Sequence, residues 1–356
     1  MKDRRPTSFD IAYRAGVSQS TVSRALRDSP QVSLATREKI QAIAQELNYR
    51  VDKNATALRS QSSNTLALLI FEDETGDDSH INPFFLSLLG NITRLVSDRG
   101  YDLLVSFQRM EQDWHLEYEL SSKADGLILL GYGDDYTDYH NRLERLANAG
   151  AHLILWGPSL ADIPVPTVGT DNELGGYLIT QHLLELGHQS FTFIGNIHAG
   201  SPEFAARYQG YGRAIAEAGL SLDEQLQCDS NNTEASAQAA AEKLLQQNTQ
   251  STAIVCASDY IALVVMRVLR STGLRIPQDI AVTGFDDMAL AALSDPPLST
   301  VRQDTFKSSQ LLVDNLLDQL KTDLSSDNLE PSPETDHTTV QPTLIIRGST
   351  AAPRSA

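Results

Sequence analysis

The sequence predicts two unlike parts: an N-terminal all-α helix-turn-helix head plus hinge helix, and a larger α/β body of two parallel-sheet subdomains. Three observations carry this. The 356-residue chain has a formal net charge of −18, yet its first 60 residues hold eleven Lys and Arg against six Asp and Glu, a net of +5 that leaves −23 for the remainder. Three short capped helices are legible within the first fifty residues. From Thr65 onward, apolar strand-like runs alternate with amphipathic helical stretches. A basic head on an acidic body suits a polyanion met by the head alone, because the body repels it. Charge by itself is equally consistent with an inert basic tail.

Thr7-Ser8-Phe9-Asp10 reads as a capping box, with Asp10 reaching back to a free backbone N–H. Ile11, Ala12 and Ala15 form the apolar stripe of the first helix, and Gly16 stops it where a left-handed residue costs little. Ser18 caps a second helix from Gln19 to about Arg27, with Val22 and Leu26 turned inward. Ser29-Pro30 breaks it, and Ser33 caps a third helix to about Asn48, buried through Ile40, Ala44 and Leu47. Two helices joined by a short Gly-containing turn are the sequence form of a helix-turn-helix. Its second helix enters the major groove by its N-terminal residues. Gln19 and Ser20 lie in that first turn and Arg24 one turn on; Gln matches adenine N6/N7 and Arg matches guanine O6/N7. Ser18, Thr21 and Ser23 are small hydroxyl groups suited to phosphate, which sets register rather than sequence; Thr7 is grouped with them. The same polar residues also fit a solvated helical cap on the body.

Residues 50–60, RVDKNATALRS, form a short hinge-helix candidate with Asp52 as N-cap, followed by the polar linker SQSSN. Such a helix is marginal alone in water.

In the body, strands are expected at 65–71, 102–107, 126–130, 151–156, 190–195, 252–257 and 280–285, with a last strand at TLIIR. Helices are expected at 84–99, 137–149, 172–187, 203–219, 233–248 and 259–272. This alternation means parallel sheets with right-handed crossovers. The roughly 290 residues of the body exceed one comfortable core, so two sheets with a cleft are expected. Ligands in such sheets bind at the carboxyl ends of the strands. Asp259 follows one strand, as a ligand group or a helix cap. Phe85, after the first strand's loop, and Trp156, ending a strand, are candidate cleft walls; an aromatic ring stacks on the apolar face of a sugar. Residues 322–342 read as a polar loop.

Several classes are excluded. No apolar run approaches the ~18 residues of a membrane span. MKDRRPTSFD lacks the apolar stretch of a secretory signal, and Cys228 and Cys256 cannot build a disulfide framework, so a reduced cytoplasm is expected. EDETGDDSH (72–80) reads as a solvated loop rather than a metal site. No dinucleotide fingerprint, phosphate-cradling loop or G-x-S-x-G elbow is present, so neither cofactor nor catalysis is expected. A secreted solute-binding protein would need a signal peptide and would lack the head.

The motifs AGVS-x-x-TVSRAL, VS-x-x-TR-x-K-I and LNY, in that order, strongly resemble the head of the lactose-repressor (LacI/GalR) family of bacterial regulators. The resemblance continues through NPFF, RGYDLL, DN-x-x-GG, LGH, R-x-x-GY, ASD, GFDD and PPLSTVRQD. It implies a periplasmic-binding-protein-like body, and the division 1–50 head, 51–64 hinge and linker, and 65–350 effector-binding and dimerisation domain. Within the body it implies a first subdomain of about 65–168 plus 299–330 and a second of about 169–298. It assigns Leu58 to the residue that wedges into the minor groove at the centre of a palindromic double-stranded operator, with Ala55 beside it. Arg207 in RYQGY matches the family's effector-binding arginine, and Asp286 in GFDD its ligand-accepting carboxylate. A homodimeric repressor controlled by a small ligand is implied, a sugar first, with a sugar phosphate, nucleobase or protein corepressor as alternatives. The resemblance departs at Val51-Asp52, where the family has Pro-Asn; an acid beside phosphate should weaken the hinge.

Overall fold

Thr7 opens the first helix, α1 (Ser8–Ala15), as a capping box: the Asp10 carboxylate accepts from the Thr7 backbone N–H and from its hydroxyl, both at 2.7 Å. This computed structural model describes residues 6–49, 62–71, 82–108, 114–131, 136–158, 165–198, 201–247, 251–325 and 337–353. They fall into two units, Met1–Ser63 and Asn64–Ala356. In the first, Gly16 ends α1 at φ 70°, and Lys39 donates to the Ala15 carbonyl at 3.0 Å, a cation where the helix dipole is negative. Ser18 caps α2 (Gln19–Leu26) and Ser33 caps α3 (Leu34–Glu46), each accepting from the N–H three residues on. Ile11, Ala12, Ala15, Val22, Ala25, Ile40 and Ala44 form the core of the three helices. Leu26, expected inside, is half-buried at the rim, because α2 ends there and Ala25 takes the central place.

The second unit begins with β1 (Thr65–Phe71), α4 (Pro83–Asp98), β2 (Asp102–Gln108), a π-helix (His115–Leu120), β3 (Gly126–Leu130), α5 (Tyr136–Asn148), β4 (Leu153–Trp156) and β5 (Thr167–Thr170). It continues with α6 (Asn172–Glu185), β6 (Phe191–Ile194), α7 (Pro202–Glu217), β7 (Gln227–Cys228), α8 (Glu234–Gln246), β8 (Ala253–Cys256), α9 (Asp259–Ser271) and β9 (Ala281–Thr283). Last come α10 (Ala289–Leu293), β10 (Thr300–Arg302), α11 (Thr305–Ser325), β11 (His337–Val340) and β12 (Thr343–Ile345). A six-stranded parallel sheet runs in the order β11-β5-β4-β3-β1-β2, and a four-stranded parallel sheet in the order β7-β6-β8-β9. Alternate residues of β1 feed two cores: Leu66, Leu68 and Ile70 pack with α4 and α11, while Ala67, Leu69 and Phe71 pack with Trp114, Tyr139 and Leu143. That is the period-2 signature of a strand buried on both faces. Among the described residues β2 is an edge strand of its sheet, paired only to β1, and exposes Leu104, Val105 and Phe107.

Four strands were not expected: β5, β7, β10 and β11 are short and carry few large apolar residues. Part of the expected 322–342 loop is β11, which pairs in parallel with β5 and joins it through His337 Nδ1 and Thr167 Oγ1, 2.5 Å apart. The division after residue 168 falls inside β5, a strand of the first sheet. Residues 299–302, expected in the first subdomain, lie instead beside the second sheet, where Ser299 and Arg302 bridge to Thr283 and Asp286. α11 then packs on α4, β3 and β4 of the first.

The C-terminal segment is tied to the second sheet. Ser349 accepts from the Ser299 N–H at 2.8 Å and donates to the Val282 carbonyl at 2.6 Å. His188 Nε2 lies 2.8 Å from the Ala351 carbonyl oxygen, and His182 Nε2 lies 3.0 Å from Thr350 Oγ1. Burial holds both imidazoles below the usual histidine pKa, offset in part at His188 by its bond to Ala351. The unfolded chain therefore takes up protons first. Stability from these neutral rings is whole above about pH 6.5 and is lost as pH falls further. The urea midpoint is expected to drop between about pH 7.5 and about pH 5.5, and His188→Gln to flatten that slope.

Candidate DNA-binding and effector sites

At the N-terminus of α2, the Ser18 hydroxyl lies 2.8 Å from both Ser20 Oγ and Thr21 Oγ1 and accepts from the Thr21 N–H at 3.2 Å. This net of hydroxyls caps the helix whose first residue is Gln19. Ser18, Ser20 and Arg24 are exposed, and Gln19, Thr21 and Ser23 are half-buried, so the six residues expected to face DNA lie on α2 and its N-cap, from Ser18 to Arg24 in the last turn. Thr7 differs: its hydroxyl proton is spent on Asp10, which makes it a cap rather than a free donor. Ala55 and Leu58, the expected hinge contacts, lie outside the described residues.

In the second unit, Arg207 stands in the second turn of α7 with 5% of its surface exposed. Its Nε donates to Asn172 Oδ1 at 2.8 Å and its Nη1 to the Ala257 carbonyl at 2.6 Å. The guanidinium lies 3.7 Å from the ring centre of Phe285, a cation–π contact made stronger by desolvation. Arg207 Nη1 is 3.8 Å from Asp286 Oδ1, with both side chains nearly covered. Asp286 adopts φ 114°, a left-handed backbone that an aspartate adopts at a cost. It accepts from Gln303 Nε2 at 2.7 Å. Burial pushes its carboxyl up to about 6, against the pull of Arg207 and Gln303. The pair thus sits beyond the strand ends of the second sheet.

Two close helix contacts hold this arrangement. A Cβ at Gly176 of α6 would lie 2.0 Å from the Arg207 carbonyl oxygen, and one at Gly210 of α7 would lie 1.9 Å from that of Glu173. Only glycine lets α6 and α7 approach so closely.

Asp259, expected as a ligand group or a cap, has no exposed surface. Its oxygens accept from Thr300 Oγ1 at 2.5 Å and from the Met288 N–H at 2.7 Å. It therefore binds β10 and the β9–α10 connection together rather than facing a ligand. Burial and the neighbouring Asp286 raise its pKa. Trp156 is buried in the first-sheet core with its ring centre 5.6 Å from that of Phe84; Phe85, half-buried, lies beside Gly131 at the end of β3. These aromatics belong to the first sheet and Arg207, Asp286 and Phe285 to the second. Asn172, Gln303 and Phe285 were not singled out from the sequence, although DN-x-x-GG, STVRQD and GFDD contain them. Among the described residues, no group of three or more His, Cys, Asp or Glu could hold a metal ion, and no helix is long and apolar enough to cross a membrane.

Residues 9–52 match the model for bacterial regulatory proteins of the lacI family, and residues 180–350 match a periplasmic binding protein-like domain. The HTH-type transcriptional regulator CelR of Thermobifida fusca is 33% identical over 325 residues, 88% of this chain and 92% of that protein. The chain belongs to the lacI family of bacterial regulatory proteins. Within that family, a transcriptional regulator CelR–cellobiose complex superposes with a TM-score of 0.69 at 29% identity, covering 97% of this chain and 100% of that one. A Lac repressor dimer bound to operator and an anti-inducer shares the fold, with a TM-score of 0.80 at 24% identity over 98% of this chain and 100% of that one. The lacI-family head assigns α1–α3 to DNA, and the chain is a ligand-controlled, DNA-binding transcriptional regulator.

Proposed function

We propose that the protein is a cytoplasmic homodimeric repressor that binds a palindromic operator and alters its grip on DNA when a neutral sugar occupies the cleft of the body. Its organisation follows as a head (1–50), a hinge and linker (51–64) and an effector domain (65–350). The observation that carries the sugar reading is the buried Arg207–Asp286 pair beside an aromatic ring: a fixed fork of donors, a carboxylate acceptor and a π-face together suit a ring bearing hydroxyls. Phe85 and Trp156, from the first sheet, are the aromatic residues offered for the other wall of the cleft. Gln19 and Arg24 read bases, and Ser18, Ser20, Thr21 and Ser23 fix the register on phosphate and groove edge. No chemical step and no cofactor enters this function.

The effector moves DNA affinity only by its differential affinity for two conformations. Thermal unfolding against a panel of sugars, sugar phosphates and nucleobases tests the class. A true effector at a hundred times its Kd stabilises by about 2.7 kcal/mol. A shift with sugars alone supports the reading, and a shift confined to phosphates or nucleobases overturns it.

Leu58 wedges a base step at the operator centre, and an apolar wedge bends the duplex at a cost of a few kcal/mol offset by added contact. Leu58→Ala is expected to weaken operator binding about tenfold or more in mobility-shift titrations while leaving effector affinity unchanged. The exposed Leu104, Val105 and Phe107 of the open edge β2 mark part of the dimer contact, since a bare apolar edge is otherwise an aggregation hazard. Phe107→Glu is expected to shift the protein toward monomer in sedimentation equilibrium.

A further inference from the structure

Gln19 is the first residue of α2, and its amide is already engaged within the head. Gln19 Nε2 donates to the hydroxyl of Ser8, eleven residues earlier in the first turn of α1, at 3.0 Å. Both residues are half-buried. We propose that Ser8 is a positioning residue for base readout, its hydroxyl holding the Gln19 amide so that one face of that amide is kept for the edge of an adenine. This rests on Gln19 reading a base, as proposed above.

The chemistry follows from the donor inventory. A Gln amide has one acceptor oxygen and two N–H donors. Ser8 takes one N–H. The oxygen and the second N–H remain, and an acceptor beside a donor is the pair that matches adenine N6–H and N7. Were Oε1 the atom tied to Ser8, two donors would face the groove and favour the O6/N7 acceptors of guanine. Ser8 thus selects which face of the amide is presented. It also restrains a long side chain that would otherwise surrender rotamer freedom only on meeting DNA, which is how prior ordering strengthens binding. Neither residue alone encodes this; the α1–α2 crossing brings them together.

The test uses the full-length protein and a library of randomised DNA duplexes, selected and sequenced for the wild type and for Ser8→Ala, Ser8→Thr, Gln19→Ala and the Ser8→Ala/Gln19→Ala pair. The wild type is expected to prefer A·T at one position of each half-site, and Gln19→Ala to erase that preference. Ser8→Ala should weaken it about threefold to tenfold at the same position only, a fraction of what a full bidentate pair discriminates. Ser8→Thr, which keeps the hydroxyl, should restore it. In the Gln19→Ala background, Ser8→Ala should change nothing further. Thermal unfolding of each variant checks the fold, and Ser8→Thr keeps the test open if Ser8→Ala unfolds the head. A Ser8→Ala effect spread evenly over all positions, or persisting without Gln19, overturns the positioning role. A preference for guanine at that position overturns the amide orientation. An intact wild-type profile in Gln19→Ala overturns the readout by Gln19 itself, and the role of Ser8 with it.

Discussion

Arg207→Ala is expected to cost at least a hundredfold in effector affinity and to destabilise the body by about 3–5 kcal/mol, the range for removing one partner of a buried ion pair. Two effects compound. The guanidinium supplies the donors proposed to meet the ligand, and it also bonds Asn172 and the Ala257 carbonyl. Its loss leaves both acceptors unpaired and the Asp286 carboxylate buried without its cation. Because Arg207 holds the Asp286 carboxyl down against burial, its removal raises that pKa further. Arg207→Lys keeps the charge but loses the fork and the stacking on Phe285, so it should recover part of the stability and little of the affinity. Calorimetric titration with the effector and urea unfolding read the two losses separately. Unchanged effector affinity in Arg207→Ala would remove Arg207 from the site.

Gly210→Ala is expected to be comparably severe for a different reason. The added Cβ would lie 1.9 Å from the Glu173 carbonyl oxygen and 2.7 Å from the Tyr177 nitrogen. Both are backbone atoms of a neighbouring helix, so no rotamer change relieves the clash and α7 must move as a body. Overpacking typically costs about 1–3 kcal/mol and sometimes more; backbone against backbone belongs at the upper end. At roughly 2–4 °C per kcal/mol for a domain of this size, the melting temperature should fall by about 6–12 °C. Arg207 sits one turn earlier on α7, so effector affinity should fall too. Gly212 is the control on the same helix: its Cβ would meet only Leu222 Cδ2, at 3.5 Å. Gly212→Ala should be neutral or gain up to about 1 kcal/mol from helix propensity. Equal melting temperatures for Gly210→Ala and Gly212→Ala would refute the close-contact account.

The head was legible almost residue by residue, because caps and stops are local. Thr7, Asp10, Gly16, Ser18 and Ser33 act within a few residues of themselves, and the structure uses each as its chemistry requires. The long buried strands were equally plain, since TLALLIF and GLILL admit few other readings. What escaped was set by tertiary pairing. β11, HTTV, carries one buried large apolar residue, Val340, and is a strand because β5 offers it an edge. Asp259 and Asp286 look alike in sequence, each an acid after a buried strand; only their neighbours, Thr300 and Met288 for one and Arg207 and Gln303 for the other, separate a carboxylate that ties loops together from the one proposed to meet the ligand. Asn172 and Gln303 escaped because the place of an amide is set by the charged group it touches, here Arg207 and Asp286.

Gln303 sits where the chain leaves the second sheet for the first. Its amide grips Asp286 at 2.7 Å, and two residues later the Thr305 hydroxyl accepts from Asn91 of α4 at 3.2 Å. The Thr305 N–H also donates to the Gln303 carbonyl at 2.9 Å, so this strap between the sheets is a closed turn, shorter than the roughly 7 Å that two extended residues span. A displacement of the Asp286 carboxylate by an ångström is a sizeable part of that reach. It is absorbed by opening the turn, by releasing one of its two side-chain anchors, or by drawing α11 and α4 along with it.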